Sequence, residues 1–145
     1  MKLLPFIISL AAILPAAYSD NVKYDTQYDN PDISLDAVAC SDGKNGLMTK
    51  GYQTFGQIPN FPHIGAAAAV EGYDSASCGS CWALTYTKSD KTTETIYVTA
   101  IDHAASGFNI AGMALQELGG PQAENAGQIK VTSEQVAVTK CGFTS

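Results

Sequence analysis

Basic residues are scarce in this chain of 145 residues: 8 Lys and Arg stand against 14 Asp and Glu, for a formal charge of −6. They form no cluster, so neither a nucleic acid nor an anionic membrane is an expected partner, since both are held through concentrated positive charge. A neutral partner fits better. Charged residues of both signs amount to only 15% of the chain. The surface is left to Ser, Thr, Asn, Gln, Gly and Tyr, a mix that suits hydroxyl-rich ligands such as sugars. Histidine is limited to His63 and His103, too few for a metal site that takes three or four ligands. No metal and no cofactor are therefore expected. A G-x-S-x-G nucleophile elbow is missing, as are internal repeats, linkers and, past residue 19, any Asn-x-Ser/Thr sequon. The one long apolar run, Leu3 to Leu14, is interrupted by Pro5 and Ser9 and falls short of the roughly 20 residues a spanning helix needs.

That run follows Lys2 and leads to Ala17 and Ser19, small residues at −3 and −1 of a cleavage point. Residues 1–19 read as a secretory leader, which leaves one domain over 20–145 and a secreted, extracellular protein. Loss of Lys2 takes the formal charge from −6 to −7. Cys40, Cys78, Cys81 and Cys141 then read as two disulfides, with three connectivities open. Cys78-Gly79-Ser80-Cys81 has the spacing of a redox pair, but W-A-L-T-Y-T follows it and reads as a strand. A redox pair needs a helix there to lower the thiol pKa. Structural bonds to distant partners are the better reading.

Along the chain, Val22–Tyr28 reads as a first edge strand and Ile33–Val38 as one or two helical turns near a Ser34 or Asp32 cap. Leu47–Lys50 reads as a short strand. Gly51–Pro62 is an irregular segment whose Phe55 and Phe61 suit core cover, while Tyr52 suits either packing or a sugar-stacking surface. Ile64–Val70 reads as a closely packed strand because of Gly65 and Gly72. Trp82–Thr87 and Glu94–Asp102 flank the polar loop Lys88–Thr93, so they should pair antiparallel. A helix is expected over Ala111–Leu118, capped by Asn109 and stopped by Gly119-Gly120-Pro121. Gly127–Thr132 and Val136–Val138 finish as strands. The domain is mainly β with short helices.

The strand Ile96–Ile101 delivers Asp102 to the turn His103–Gly107. Two readings stand: Asp102 bonds the loop amides after it, or it is a functional group held on a rigid support. A glycosidase needs two carboxylates about the scissile bond. Asp25, Asp29, Asp42 and Asp74 all lie in or next to turns, and none forms a recognisable pair with Asp102.

Four stretches carry a resemblance. They are Y-D-x-x-Y-D-N at Tyr24–Asn30, C-S-D-G-x-N-G-L at Cys40–Leu47, F-P-x-I-G at Phe61–Gly65 followed by C-G-S-C-W-A-L-T-Y at Cys78–Tyr86, and V-T-A-I-D-H-A-x-S-G-F-N-I at Val98–Ile110. From about Val22 to Gly142 the chain resembles the cerato-platanins, small secreted proteins of filamentous fungi. The resemblance implies a six-stranded double-psi β-barrel like those of barwin and the first domain of plant expansins. It implies Cys40–Cys78 and Cys81–Cys141 pairing, and a shallow groove for chitin oligomers or other cell-wall polysaccharide. It further implies expansin-like, non-hydrolytic action, elicitation of plant defence through a plant receptor, and a monomer able to self-assemble at interfaces. Carried over by position, Asp102 is the groove aspartate and Asn109 its neighbour; Tyr24 and Tyr28 stand at the groove edge; Asn45 and Gly46 lie in the loop after the first Cys. Tyr52 is the further aromatic candidate. The reading expects Asp102→Ala to abolish wall loosening with the fold intact. A weak glycosidase and a surface-active coat protein are the rival readings.

Overall fold

The computed structural model describes Pro5 and residues 17–145. The leader expectation for residues 1–19 therefore falls largely outside the described residues. Six strands close into one barrel: β1 (Tyr18–Tyr24), β2 (Ile64–Ala67), β3 (Cys81–Thr87), β4 (Thr93–His103), β5 (Phe108–Ile110) and β6 (Gln128–Val136). Around the barrel they run β1-β5-β2-β4-β3-β6. The expected six-stranded barrel is thus the fold, and β1 is no edge strand, being paired on both sides.

Alternation builds the core. In β6 the inward set is Ile129, Val131 and Ser133, separated by exposed or half-buried residues. On β3 and β4, Leu84, Ile96 and Val98 meet across the antiparallel hairpin in the expected pairing. Two parallel pairs, β1 with β5 and β2 with β4, close the rest. Gly65 makes one closure feasible, since a Cβ there would stand 2.4 Å from the Asn109 carbonyl oxygen on β5. The helix α1 (Gly112–Ala126) lies against β1, β4 and β6 and buries Ala114, Leu115 and Leu118. Each buried Leu contributes about 1.5–3 kcal/mol.

Several local expectations change. Tyr28 lies on a 3-10 turn, Thr26–Asp29, rather than in the first strand. Leu47–Lys50 is a turn, not a strand. Phe108–Ile110 is itself a strand, so Asn109 cannot cap the helix. Asp29 does that work from 83 residues away: its carboxylate accepts from Gly112 N–H (3.1 Å) and Met113 N–H (2.9 Å). The helix breaks at Gly120 (φ 75°) as anticipated, but a further stretch beginning at Pro121 runs on to Ala126. The last two expected strands are one, ending at Val136, and Val138–Cys141 is a 3-10 turn. Ile33–Val38 holds a 3-10 turn in which Ser34 Oγ accepts from the Asp36 N–H.

Both disulfides expected from the resemblance are present. Cys40–Cys78 closes a separation of 38 residues and Cys81–Cys141 one of 60.

Candidate functional site

Strand register assembles the site. Lys23 of β1 pairs with Asn109 of β5, Asn109 with Ala66 of β2, and Ala66 with Asp102 of β4. Four adjacent strands thus set Lys23, Asn109, Ala66 and Asp102 in one lateral row. The neighbours Val22 and Ile110 point into the core at 0% exposure, so by alternation the row lies on the barrel's outer face. Ala66 itself is 2% exposed and packs with the core, so Lys23, Asn109 and Asp102 are the members of the row that reach the surface.

Asp102 is heavily engaged. One oxygen accepts from Ala39 N–H (3.0 Å) and His103 N–H (2.9 Å), the other from the Tyr28 hydroxyl (3.1 Å). A carboxylate offers about four lone-pair sites, and three are filled by the protein. The first reading of Asp102 is seen, since it bonds a following amide, and it also fastens two distant segments onto the strand end. Tyr28 is 2% exposed. Burial, then the adjacent Asp102 charge, push its hydroxyl pKa well above the usual tyrosine range.

Next along the row, a cleft of about 250 Å³ opens beside Asn109, walled by Lys23, His103, Ala104, Ser106 and Phe108. The Asn109 Oδ1 is buried and has no hydrogen-bond partner among the described residues. Such an acceptor calls for a donor from water or ligand. His103 Nδ1 lies 2.7 Å from the Val70 carbonyl oxygen. That oxygen only accepts, so Nδ1 carries a proton and donates to it. Lys23 adds three N–H donors at the rim. The cleft therefore offers both donors and acceptors to one ligand.

Among the sequence-predicted residues, the structure brings Asp102, Tyr28 and Asn109 together. Tyr24 is half-buried, with its ring beside Gly112 at the start of α1. The other three stand apart from the cleft. Asn45 is tied to the loop at Asp74, donating its backbone N–H to Oδ1 (2.7 Å) and its side-chain amide to the carbonyl (3.0 Å). Gly46 is required by close approach, because a Cβ there would stand 2.2 Å from the Ser41 and Asp42 carbonyl oxygens. Tyr52 packs edge-on against Phe143, ring centroids 5.7 Å apart. Phe55 is fully buried and Phe61 half-buried, as core cover. Lys23 and Ser106 were not singled out by sequence reasoning, and the role of His103 was left open. His103 follows Asp102 directly, which was the available signal.

Larger clefts exist elsewhere. One of about 420 Å³, lined mainly by polar side chains including Lys88, Asp90, Gln116 and Glu117, separates the β3–β4 loop from the kink in α1. It contains none of the residues predicted for the site. Among the described residues, no group of three or more His, Cys, Asp or Glu is placed to hold a metal ion.

Comparison with known proteins agrees with this architecture. The cerato-platanin family model matches residues 20–143. The heat-stable 19 kDa antigen of Coccidioides immitis is 47% identical over 136 residues, 94% of this chain and 90% of that protein. Cerato-platanin of Ceratocystis fimbriata f. sp. platani is 34% identical over 134 residues, covering 92% and 94%. The crystal structure of cerato-platanin 2 from M. perniciosa superposes with a TM-score of 0.82 at 42% identity, over 87% of this chain and all of that one. Family model, relatives, barrel and disulfide pairing converge: the chain belongs to the cerato-platanin family.

Proposed function

We propose that this chain is a secreted, non-catalytic carbohydrate-binding protein that takes chitin oligomers or related cell-wall polysaccharide along the row Asp102, Asn109, Lys23 and the adjoining cleft. The observation that carries the reading is the buried, unpartnered Oδ1 of Asn109, set beside the cationic Lys23. An acetamido group presents an N–H and a C=O together, which answers an acceptor and a donor side by side. Sugar hydroxyls also donate and accept, so other polysaccharides can enter with fewer matched contacts.

The engagement of Asp102 supports binding without hydrolysis. With three acceptor sites filled, it is poorly placed to shuttle a proton, which catalysis by a carboxylate requires. Its part here is to hold Tyr28 and the segment at Ala39 against the end of β4. A shallow, wet surface gives weak affinity, and weak, reversible competition for chain–chain contacts suits an expansin-like loosening of walls. Two disulfides fit an oxidising extracellular compartment.

Depletion of the protein by insoluble chitin, with cellulose in parallel, tests the proposal together with an assay for new reducing ends. Retention on chitin that Asn109→Ala weakens at least about fivefold, without product release, is expected for a lost hydrogen bond to ligand. Retention unaffected by Asn109→Ala, or release of reducing ends, sinks it.

A further inference from the structure

The hairpin loop between β3 and β4 faces the break in α1 across the cleft of about 420 Å³. That volume falls inside the roughly 300–1,000 Å³ of ordinary ligand pockets, whereas the cleft beside Asn109 holds about 250 Å³. Glycine keeps the floor bare, because Gly119 and Gly120 line it and neither position accepts a side chain readily. A Cβ on Gly119 would stand 2.5 Å from the Ala123 Cβ, and Gly120 takes φ 75°, a conformation that favours glycine. Tyr86 is half-buried with its ring beside Gly119, and supplies the aromatic wall.

The rim is held from both sides. In the loop, Asp90 Oδ1 accepts from the N–H and the hydroxyl of Thr92, and the Thr92 carbonyl accepts from Lys88 N–H (2.8 Å). On the helix, Glu117 Oε2 meets His63 Nε2 at 2.5 Å. A carboxylate offers about four lone-pair sites. These bonds take two on Asp90 and one on Glu117, which leaves acceptor capacity on both. The Lys88 ammonium makes no ion pair among the described residues and keeps N–H donors to offer. Gln116 and Gln122 are exposed, and each adds an amide donor and an amide acceptor. A sugar hydroxyl donates and accepts through one atom, so it answers either kind of partner while a C–H face packs on Tyr86. An acetamido group replaces such a hydroxyl with a methyl and a carbonyl. Tyr86 is the one apolar wall for the methyl among the described lining residues, and the carbonyl only accepts, beside two carboxylates.

We infer that the cleft at the α1 break binds a neutral, unacetylated oligosaccharide, a short glucan segment, held by Lys88, Asp90, Gln116, Glu117 and Gln122 against the ring of Tyr86. It is a second sugar site, separate from the row around Asn109. Asp102 stands nine residues beyond Thr93 on β4, about 30 Å of extended strand. The row's Asp102 and the hairpin loop therefore lie at opposite ends of that strand, and one sugar ring cannot touch both. Every residue that lines the cleft lies between Tyr86 and Gln122, so the site is unaffected by where the leader is cut.

The test is an NMR titration of the oxidised, secreted protein with cellotetraose and with laminaritetraose, followed through backbone amides. The amides of Lys88, Gln116, Gly119 and Gly120 are expected to move with at least one of the two glucans. N-Acetylglucosamine tetramer should bind the cleft at least about fivefold more weakly. Lys88→Ala and Gln116→Ala together should weaken glucan binding at least about tenfold. Both side chains are exposed, so an unchanged urea midpoint is expected for that variant and separates lost contacts from lost fold. Asn109→Ala should leave the cleft shifts in place while removing those at Lys23 and His103, so failure at one site is read apart from failure at the other. Unmoved cleft amides with both glucans at millimolar concentration overturn the inference, as does parental affinity in the double variant. Equal affinity for the acetylated oligomer overturns the unacetylated ligand.

Discussion

Substituting Asp102 by alanine should cost stability before it reports on binding. The change strands three donors: the Tyr28 hydroxyl at 3.1 Å, Ala39 N–H at 3.0 Å and His103 N–H at 2.9 Å. Tyr28 is 2% exposed and Asp102 accepts from its hydroxyl, so the loss of that acceptor falls in the range of about 1–3 kcal/mol for a buried group left unsatisfied. The Ala39 amide is part-buried and adds about 1 kcal/mol, while water can reach the exposed His103 amide at little cost. The sum is about 2–4 kcal/mol, within the roughly 5–15 kcal/mol that a domain possesses. The variant therefore folds, but is measurably weaker. The sequence-based expectation of an intact fold for Asp102→Ala is kept, with a stability cost added. Urea unfolding of the oxidised protein measures the loss through the midpoint at constant slope. Asp102→Asn keeps an acceptor for the amides and a donor for Tyr28, and should lose about 1 kcal/mol. In a Tyr28→Phe background the Asp102→Ala penalty should shrink by about 1–2 kcal/mol, the coupling expected of directly bonded partners. An Asp102→Ala variant within about 0.5 kcal/mol of the parent, or strict additivity with Tyr28→Phe, refutes the reasoning.

Three further outcomes follow from the same contacts. Tyr28 holds its proton more tightly folded than unfolded, so the native state binds more protons above about pH 10. Its contribution is complete below that pH and is lost above it at up to about 1.4 kcal/mol per pH unit; Tyr28→Phe should flatten that part of the alkaline denaturation curve, and an unchanged slope contradicts it. Asp29→Ala should destabilise the protein by about 1–2 kcal/mol through the start of α1, read as a fall in urea midpoint, with Asp29→Asn losing roughly half as much. Replacing both Cys81 and Cys141 by serine opens a separation of 60 residues and should cost about 4 kcal/mol in the chain-entropy account; denaturation within about 1 kcal/mol of the parent argues against that account.

What could be read from the chain depended on how local the signal was. The β3–β4 hairpin was legible because Trp82–Thr87 and Glu94–Asp102 alternate on either side of a polar loop. The helix stop was legible because Gly119-Gly120-Pro121 cannot continue one. By contrast, β5 has three residues, too few to show any period, and its partners β1 and β2 come from far along the chain. Parallel pairs carry no turn signal between them. Asp29 looked like one turn aspartate among several, since nothing local says that it caps a helix 83 residues on. Disulfide pairing was implied by the family resemblance, whereas four cysteines alone left three choices. The same limit governs the site. Asp102 and Asn109 were identifiable within one motif, but Lys23 joins them only through strand register. His103 sits inside that motif, yet its role depends on where the Val70 carbonyl lies.

The central claim is that a hydroxyl- and acetamido-bearing sugar docks on the row that ends at Asn109 and Lys23. It is tested most directly by an NMR titration of the oxidised, secreted protein with N-acetylglucosamine tetramer and, separately, with cellotetraose. The account predicts shifts concentrated at Lys23, His103 and Asn109, larger for the acetylated oligomer and lost in Asn109→Ala. It is contradicted if neither oligomer moves those amides at millimolar concentration, or if the shifts persist undiminished when Asn109 is alanine.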